Sequence, residues 1–159
     1  MKTITNVLFL TAFALVLGLS GCSKEEVEPD PADQVIGTYS GTTYTESING
    51  IAQSIDLTNE LIKNDVVISV GVAKKSVSTI TIILDILQRD STGTMQSYSN
   101  TYDTIDLKAL GNGNFELQNA GTVVGQIGNG VLKLQETYSD NDANGNAIQV
   151  AITIDAKKN

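Results

Sequence analysis

From residue 36 to the C-terminus the chain is governed by one pattern, an alternation of apolar and polar residues with a period of two. Ile148, Val150, Ile152 and Ile154 alternate with Gln149, Ala151, Thr153 and Asp155. Successive side chains of a strand point to opposite faces, so this is a strand with one buried face and not a helix. Ile80, Ile82, Leu84 and Ile86 repeat the pattern, although Ile83 and Leu87 interrupt the polar face. Leu132 and Leu134, Phe115 and Leu117, and Ile51, Ile55 and Leu57 follow the same rule. Between Asp65 and Ala73 apolar residues fall on both faces, Val67 among them, which places that strand in the best-covered part of the sheet. Only Leu57 to Asn64 hints at a helical turn.

The punctuation agrees with the pattern. Asn49-Gly50, Asn112-Gly113, Asn129-Gly130 and Asn144-Gly145 are Asn-Gly pairs, which tolerate the positive φ of tight hairpin turns. Nine strands are expected, at 36–45, 50–57, 65–73, 77–88, 95–107, 114–119, 122–127, 131–139 and 146–156. All are joined by short connections. A meander of this length must dispose of its edges, and closure does so fully. The expected fold is therefore all-β, an antiparallel up-and-down β-barrel of about eight to nine strands, with a two-sheet β-sandwich as the alternative.

The N-terminus is built differently. Lys2 precedes an apolar run from Val7 to Leu19, too short for the roughly twenty helical residues that cross a bilayer, so residues 1–21 read as an export signal. Leu19-Ser20-Gly21-Cys22 resembles the lipobox of bacterial lipoproteins. The resemblance implies cleavage before Cys22 and acylation of its thiol, and two or three acyl chains make a durable membrane anchor. Residues 22–35 hold both prolines of the chain and five of its eighteen acids, and read as a disordered acidic tether. Lys24-Glu25-Glu26 is similar to the signal that sends lipoproteins to the outer face of the outer membrane in a large group of anaerobic Gram-negative bacteria. Cell-surface display is expected, with the periplasmic face as the alternative. Residues 36–159 form the domain.

Ile36-Gly37-Thr38-Tyr39-Ser40-Gly41-Thr42 opens the meander just after the tether. It resembles the start of the small lipocalin-like, or calycin-like, lipoproteins of those bacteria. Classical lipocalins carry Gly-x-Trp at this place, whereas here Tyr39 takes the Trp position and the chain has no Trp. What the resemblance implies is a binding barrel, without specifying a ligand.

Composition narrows the chemistry. The chain has no His and one Cys, which removes the commonest general base and any Cys-rich metal site. A formal net charge of -8 disfavours nucleic acid. Lys74-Lys75-Ser76, the nearest approach to a Ser-Lys device, reads as a polar turn between strands. Asp140 to Asn146 matches the first half of a calcium loop, but the twelfth position is Ala151 and the segment reads as an acidic hairpin tip. No enzyme activity, metal or cofactor is expected. The candidate ligand residues are Tyr39, Tyr98, Tyr102 and Tyr138. Tyr98 and Tyr102 share a strand face, while Ile105 and Leu107 sit on the opposite parity, which calls for a bulge or an edge position. The expected function is non-catalytic binding of a small apolar ligand in the barrel. The alternative is a protease inhibitor or other protein-binding module, using the loop Arg89 to Thr94 and its Arg, the only one in the chain.

Overall fold

The structure, a computed structural model, describes residues 29–159. The leader, Cys22 and most of the tether lie outside the described residues. A short helix, α1 (Pro31–Val35), precedes nine strands: β1 (Gly37–Ile48), β2 (Ile51–Asp56), β3 (Val66–Lys74), β4 (Thr79–Arg89), β5 (Met95–Gly111), β6 (Asn114–Asn119), β7 (Thr122–Gly128), β8 (Val131–Asn141) and β9 (Ala147–Lys158). Every expected strand is present, and every pairing is antiparallel.

The sheet closes because β1 pairs with β9 from Tyr39–Lys158 to Ile48–Val150. On its other side β1 meets β3 near its start and β2 near its end. Eight strands, β1 and β3 to β9, therefore form a closed barrel, and β2 is a flap carried on β1. The barrel forms and the sandwich does not.

Three Asn-Gly pairs make the two-residue turns that the sequence implies, with Asn49, Asn112 and Asn129 all at positive φ. Ala120-Gly121 makes a fourth turn of the same kind, Ala120 holding φ 48° without the aid of an Asn side chain. Asn144-Gly145 is instead part of a longer loop. Leu57 to Asn64 folds as turns, and its helical character is confined to local bonds such as Lys63 N–H to the Asn59 carbonyl at 2.9 Å.

The interior follows from the period-two pattern. Ile68, Val70 and Val72 of β3 face Ile80 and Ile82 of β4, Leu117 of β6 and Leu132 of β8, all buried. Where the parity of β5 changes, the ladder slips between Ile80/Ile105 and Ile82/Tyr102, so Asp103 and Thr104 together oppose Thr81 in a bulge. Lys75 secures it, donating to the Asp103 carbonyl at 3.1 Å, the Asp103 carboxylate at 2.6 Å and the Thr104 hydroxyl at 2.7 Å.

Two expectations are corrected. Residues 31–35 are not tether. Pro31 starts α1 at a position where no backbone N–H is needed, and Ala32 and Val35, three apart on one face, are fully buried in the barrel end. Asp30 and Asp33 both accept from Lys74, at 2.9 and 2.8 Å. The helix is thus a plug, bonded to the wall. Second, β3 is not covered on both faces: Val67 is 41 % exposed on the outside, beside its cross-strand partner Leu87. Among the described residues no helix covers the outer face, and only the inner face has a core to join.

Tyr39 ties the plug to the first strand. Its ring is buried and its hydroxyl donates to the Val35 carbonyl at 2.7 Å. Tyr39→Phe is expected to lower stability by about 1–2 kcal/mol in denaturant melts, because a buried carbonyl loses its partner; an unchanged midpoint would disprove the plug's coupling. Gly125 holds φ 152°, and a Cβ there would collide with the Lys133 carbonyl oxygen on β8. Gly125→Ala is expected to cost about 3 kcal/mol or more. Gly50→Ala, in open space at positive φ, should cost about 1 kcal/mol.

Candidate functional site

The barrel is closed by α1 at one end only. At the other end the strands are unequal in length. β6 and β7 are short, and β5 pairs with β6 only from Asp106 onward, while β8 pairs with β7 only from Val131 to Leu134. Above the β6–β7 hairpin the wall is therefore slotted. The edge of β5 from Met95 to Ile105 faces the edge of β8 from Gln135 to Asn141, and neither edge has a strand partner in that stretch among the described residues. Tyr102 reaches across this slot and donates to the Glu136 carboxylate at 3.3 Å.

Below the slot lies a cavity of about 230 Å³. Leu84 and Ile86 of β4, Leu134 of β8, Ile152 and Ile154 of β9 and Val124 of β7 supply its apolar walls. Tyr44, Asn100, Tyr102, Gln135 and Glu136 supply the polar groups. The cavity lies where the buried aliphatic residues of the plugged half give way, on the inward rows of β5 and β8, to half-buried or exposed polar and aromatic residues. Burial raises the Tyr102 phenol above its usual value, with the Glu136 charge adding to the effect. Burial likewise raises Tyr44, with smaller contributions from Glu46 and Tyr138.

The four candidate tyrosines divide. Tyr102 lines the cavity. Tyr138 shares the inward row of β8 with Glu136 but sits nearer the rim, 40 % exposed and close enough to Tyr44 to influence its ionisation. Tyr98 shares the inward row of β5 yet is 60 % exposed beyond the cavity. Tyr39 is outside it altogether, since its hydroxyl and ring are committed to the plug. Tyr44 and Glu136 were missed by sequence reasoning. The ladder slips between Gly41 and Thr43, which puts Tyr39 and Tyr44 on the same face despite their odd spacing.

The remaining motifs have structural partners. Asp142 accepts from the backbone N–H groups of Asn144 and Asn146, each at 2.8 Å, and from the Asn146 side-chain amide at 3.0 Å. These bonds hold its carboxyl below the ordinary range, and they turn its oxygens toward amide donors. Asp90 to Thr94 has the same design, with Asp90 accepting from the N–H groups of Thr92 and Thr94 and held low by these and by the Thr92 hydroxyl and Gln96. Arg89 is folded back on this loop, bonded to Asp65 at 2.9 Å and to the Gly93 carbonyl at 2.8 Å. A side chain so tied does not project as an inhibitory residue must. Among the described residues no group of three or more acids, His or Cys is placed to hold a metal ion, and no helix is long and apolar enough to cross a membrane.

No family model matches the chain, and no curated protein does. A solved structure from Bacteroides ovatus, a structural-genomics protein of unknown function, aligns at 16% identity with a TM-score of 0.30, over 77% of this chain and 41% of that one. This chain thus spans about two fifths of that protein's length, and a likeness at this level carries no argument.

Two outcomes follow. Millimolar calcium is expected to leave the melting temperature equal to that in chelator, and stabilisation by calcium would contradict the Asp142 geometry. Tyr39, Tyr44 and Tyr102 are raised in the folded state. Their contribution to stability is complete below the unfolded phenol value of about 10. It is lost as pH rises through the folded values, so melts above pH ~10 should show a decline that Tyr44→Phe with Tyr102→Phe reduces.

Proposed function

We propose that this chain is a lipid-anchored, calycin-like protein of the bacterial outer membrane, displayed at the cell surface, whose barrel binds a small, mainly apolar ligand without catalysing a reaction. The cavity carries this reading. Ligand sites are typically concave, mostly apolar and supplied with a few convergent polar groups, and this one has aliphatic walls with two phenols, two amides and one carboxylate at its polar side. Those groups suit hydrogen bonding more than nucleophilic chemistry. An apolar cavity of about 150 Å³ takes benzene, so 230 Å³ suits a molecule of about nine non-hydrogen atoms by the same scaling.

The anchor rests on Leu19-Ser20-Gly21-Cys22. Pro29, where the described chain begins, adjoins the plugged end through the Gln34 amide, which donates to the Pro29 carbonyl at 2.9 Å. The seven residues from Cys22 to Pro29 reach at most about 25 Å. A lipid on Cys22 therefore places the plug toward the membrane and leaves the slot facing away. Ligand access and anchoring do not compete.

Indole, about the size of the cavity, is the test ligand. Calorimetric titration of the full chain is expected to show saturable binding, and Leu84→Trp, which fills the cavity, should weaken it at least about tenfold while leaving the melting temperature the same or higher. Equal binding by Leu84→Trp would contradict the site. Labelled palmitate should be incorporated in the native host and lost in Cys22→Ser, and intact cells should lose the protein to added protease. Labelling that persists in the variant would overturn the anchor.

A further inference from the structure

The charge of the cavity mouth has one sign. Of the ionisable groups lining the cavity, only Glu136 carries a formal charge at neutral pH, and it takes part in no ion pair among the described residues. Its one side-chain partner is the Tyr102 hydroxyl, at a long 3.3 Å, and the Tyr102 bond engages one carboxylate oxygen. Glu46 on β1 lies close enough to Tyr44 to raise its phenol, which adds a second acid on the same side of the barrel.

Among the described residues no cation balances these acids. From the cavity to the open rim, no inward position of any barrel strand is Lys or Arg. Lys74 and Lys158 share the inward parity but stand at the plugged end, where Lys74 is bonded to Asp30 and Asp33. The two cations nearest the rim are occupied, Lys63 by Glu60 and Arg89 by Asp65. A ligand with a carboxylate head would therefore meet an uncompensated carboxylate at the mouth. An ammonium head would meet a partner.

We propose that the cavity selects small organic amines, with an aryl or short alkyl body among Leu84, Leu134 and Ile152 and a protonated nitrogen at Glu136. This rests on the binding reading given above. The body fits the apolar walls. The nitrogen, a donor of charge-assisted hydrogen bonds, takes the carboxylate oxygen that Tyr102 leaves free. Tyr44 and Tyr102 line the same cavity, and an aromatic face there adds cation–π attraction. Glu136 is exposed and lies at the slot, where it meets the head group on entry.

Three probes of matched body separate the sources of affinity: 2-phenylethylamine, 2-phenylethanol and phenylacetate, each titrated calorimetrically into the full chain near neutral pH. The amine is expected to bind at least about tenfold tighter than the alcohol, with the anion weakest. Glu136→Gln should remove the amine's advantage over the alcohol, and a melting temperature equal to that of the parent chain shows that the variant is folded. Alcohol binding with no preference for the amine, or preference for phenylacetate, would overturn the amine selectivity and leave the apolar pocket standing. If none of the three saturates at millimolar concentration, the pocket itself is refuted together with its selectivity. Equal amine affinity in Glu136→Gln would remove that carboxylate from the proposal.

Discussion

Closure of the sheet through the β1–β9 ladder is the interaction on which plug, cavity and slot all depend. A nine-stranded meander left open would expose two edges and could not enclose its apolar rows. The closed sheet carries local changes of register, at Gly41–Thr43, at Asp103–Thr104, between Ala109 and Gly111, and between β6 and β7. Each slip re-aims the residues beyond it. The slip in β1 brings Tyr44 inward, and the slip in β5 brings Asn100 and Tyr102 inward, so the devices that close the barrel also furnish the polar side of its cavity.

The two halves of the barrel are specified by different means. Toward the plug, buried aliphatic residues of β3 to β8 meet Tyr39 and Phe115 across the axis, and α1 seals the end with Ala32 and Val35. Toward the slot, the shortness of β6 and β7 removes two strands of wall, and the inward rows of β1, β5 and β8 carry Tyr, Asn and Glu while those of β4 and β9 stay aliphatic. The site is thus the boundary between a packed core and a rim that is wetted through a gap in the sheet. Its electrostatic character follows from sorting of charge, with Lys on the inward parity confined to the plugged end.

The strands were legible because one-sided burial enforces a period of two, and the barrel because short turns left no room for crossovers. The bulge in β5 was legible too, since Tyr98 and Tyr102 on one parity and Ile105 and Leu107 on the other admit few explanations. The plug was not. Five residues are too few to display helical periodicity, and Asp30, Pro31 and Asp33 have the composition of a solvated linker until Lys74, forty residues away, is brought beside them. Val67 misled for the converse reason: an apolar residue on an outer face signals a covering layer only where some element exists to cover it. Tyr44 was hidden by a slip whose presence is set by pairing with β9, a contact between distant parts of the chain. Tyr39, a candidate ligand residue by sequence, holds the plug instead.

The central claim is that the closed barrel retains an apolar, accessible space between Leu84, Leu134 and Ile152. Diffraction from a crystal pressurised with xenon tests it directly, because xenon occupies apolar cavities that water leaves empty. A strong xenon site is expected among those three side chains, with Tyr102 and Glu136 beyond it toward the slot. A cavity collapsed by repacking of these residues, or filled by an ordered chain of water without xenon, would contradict it.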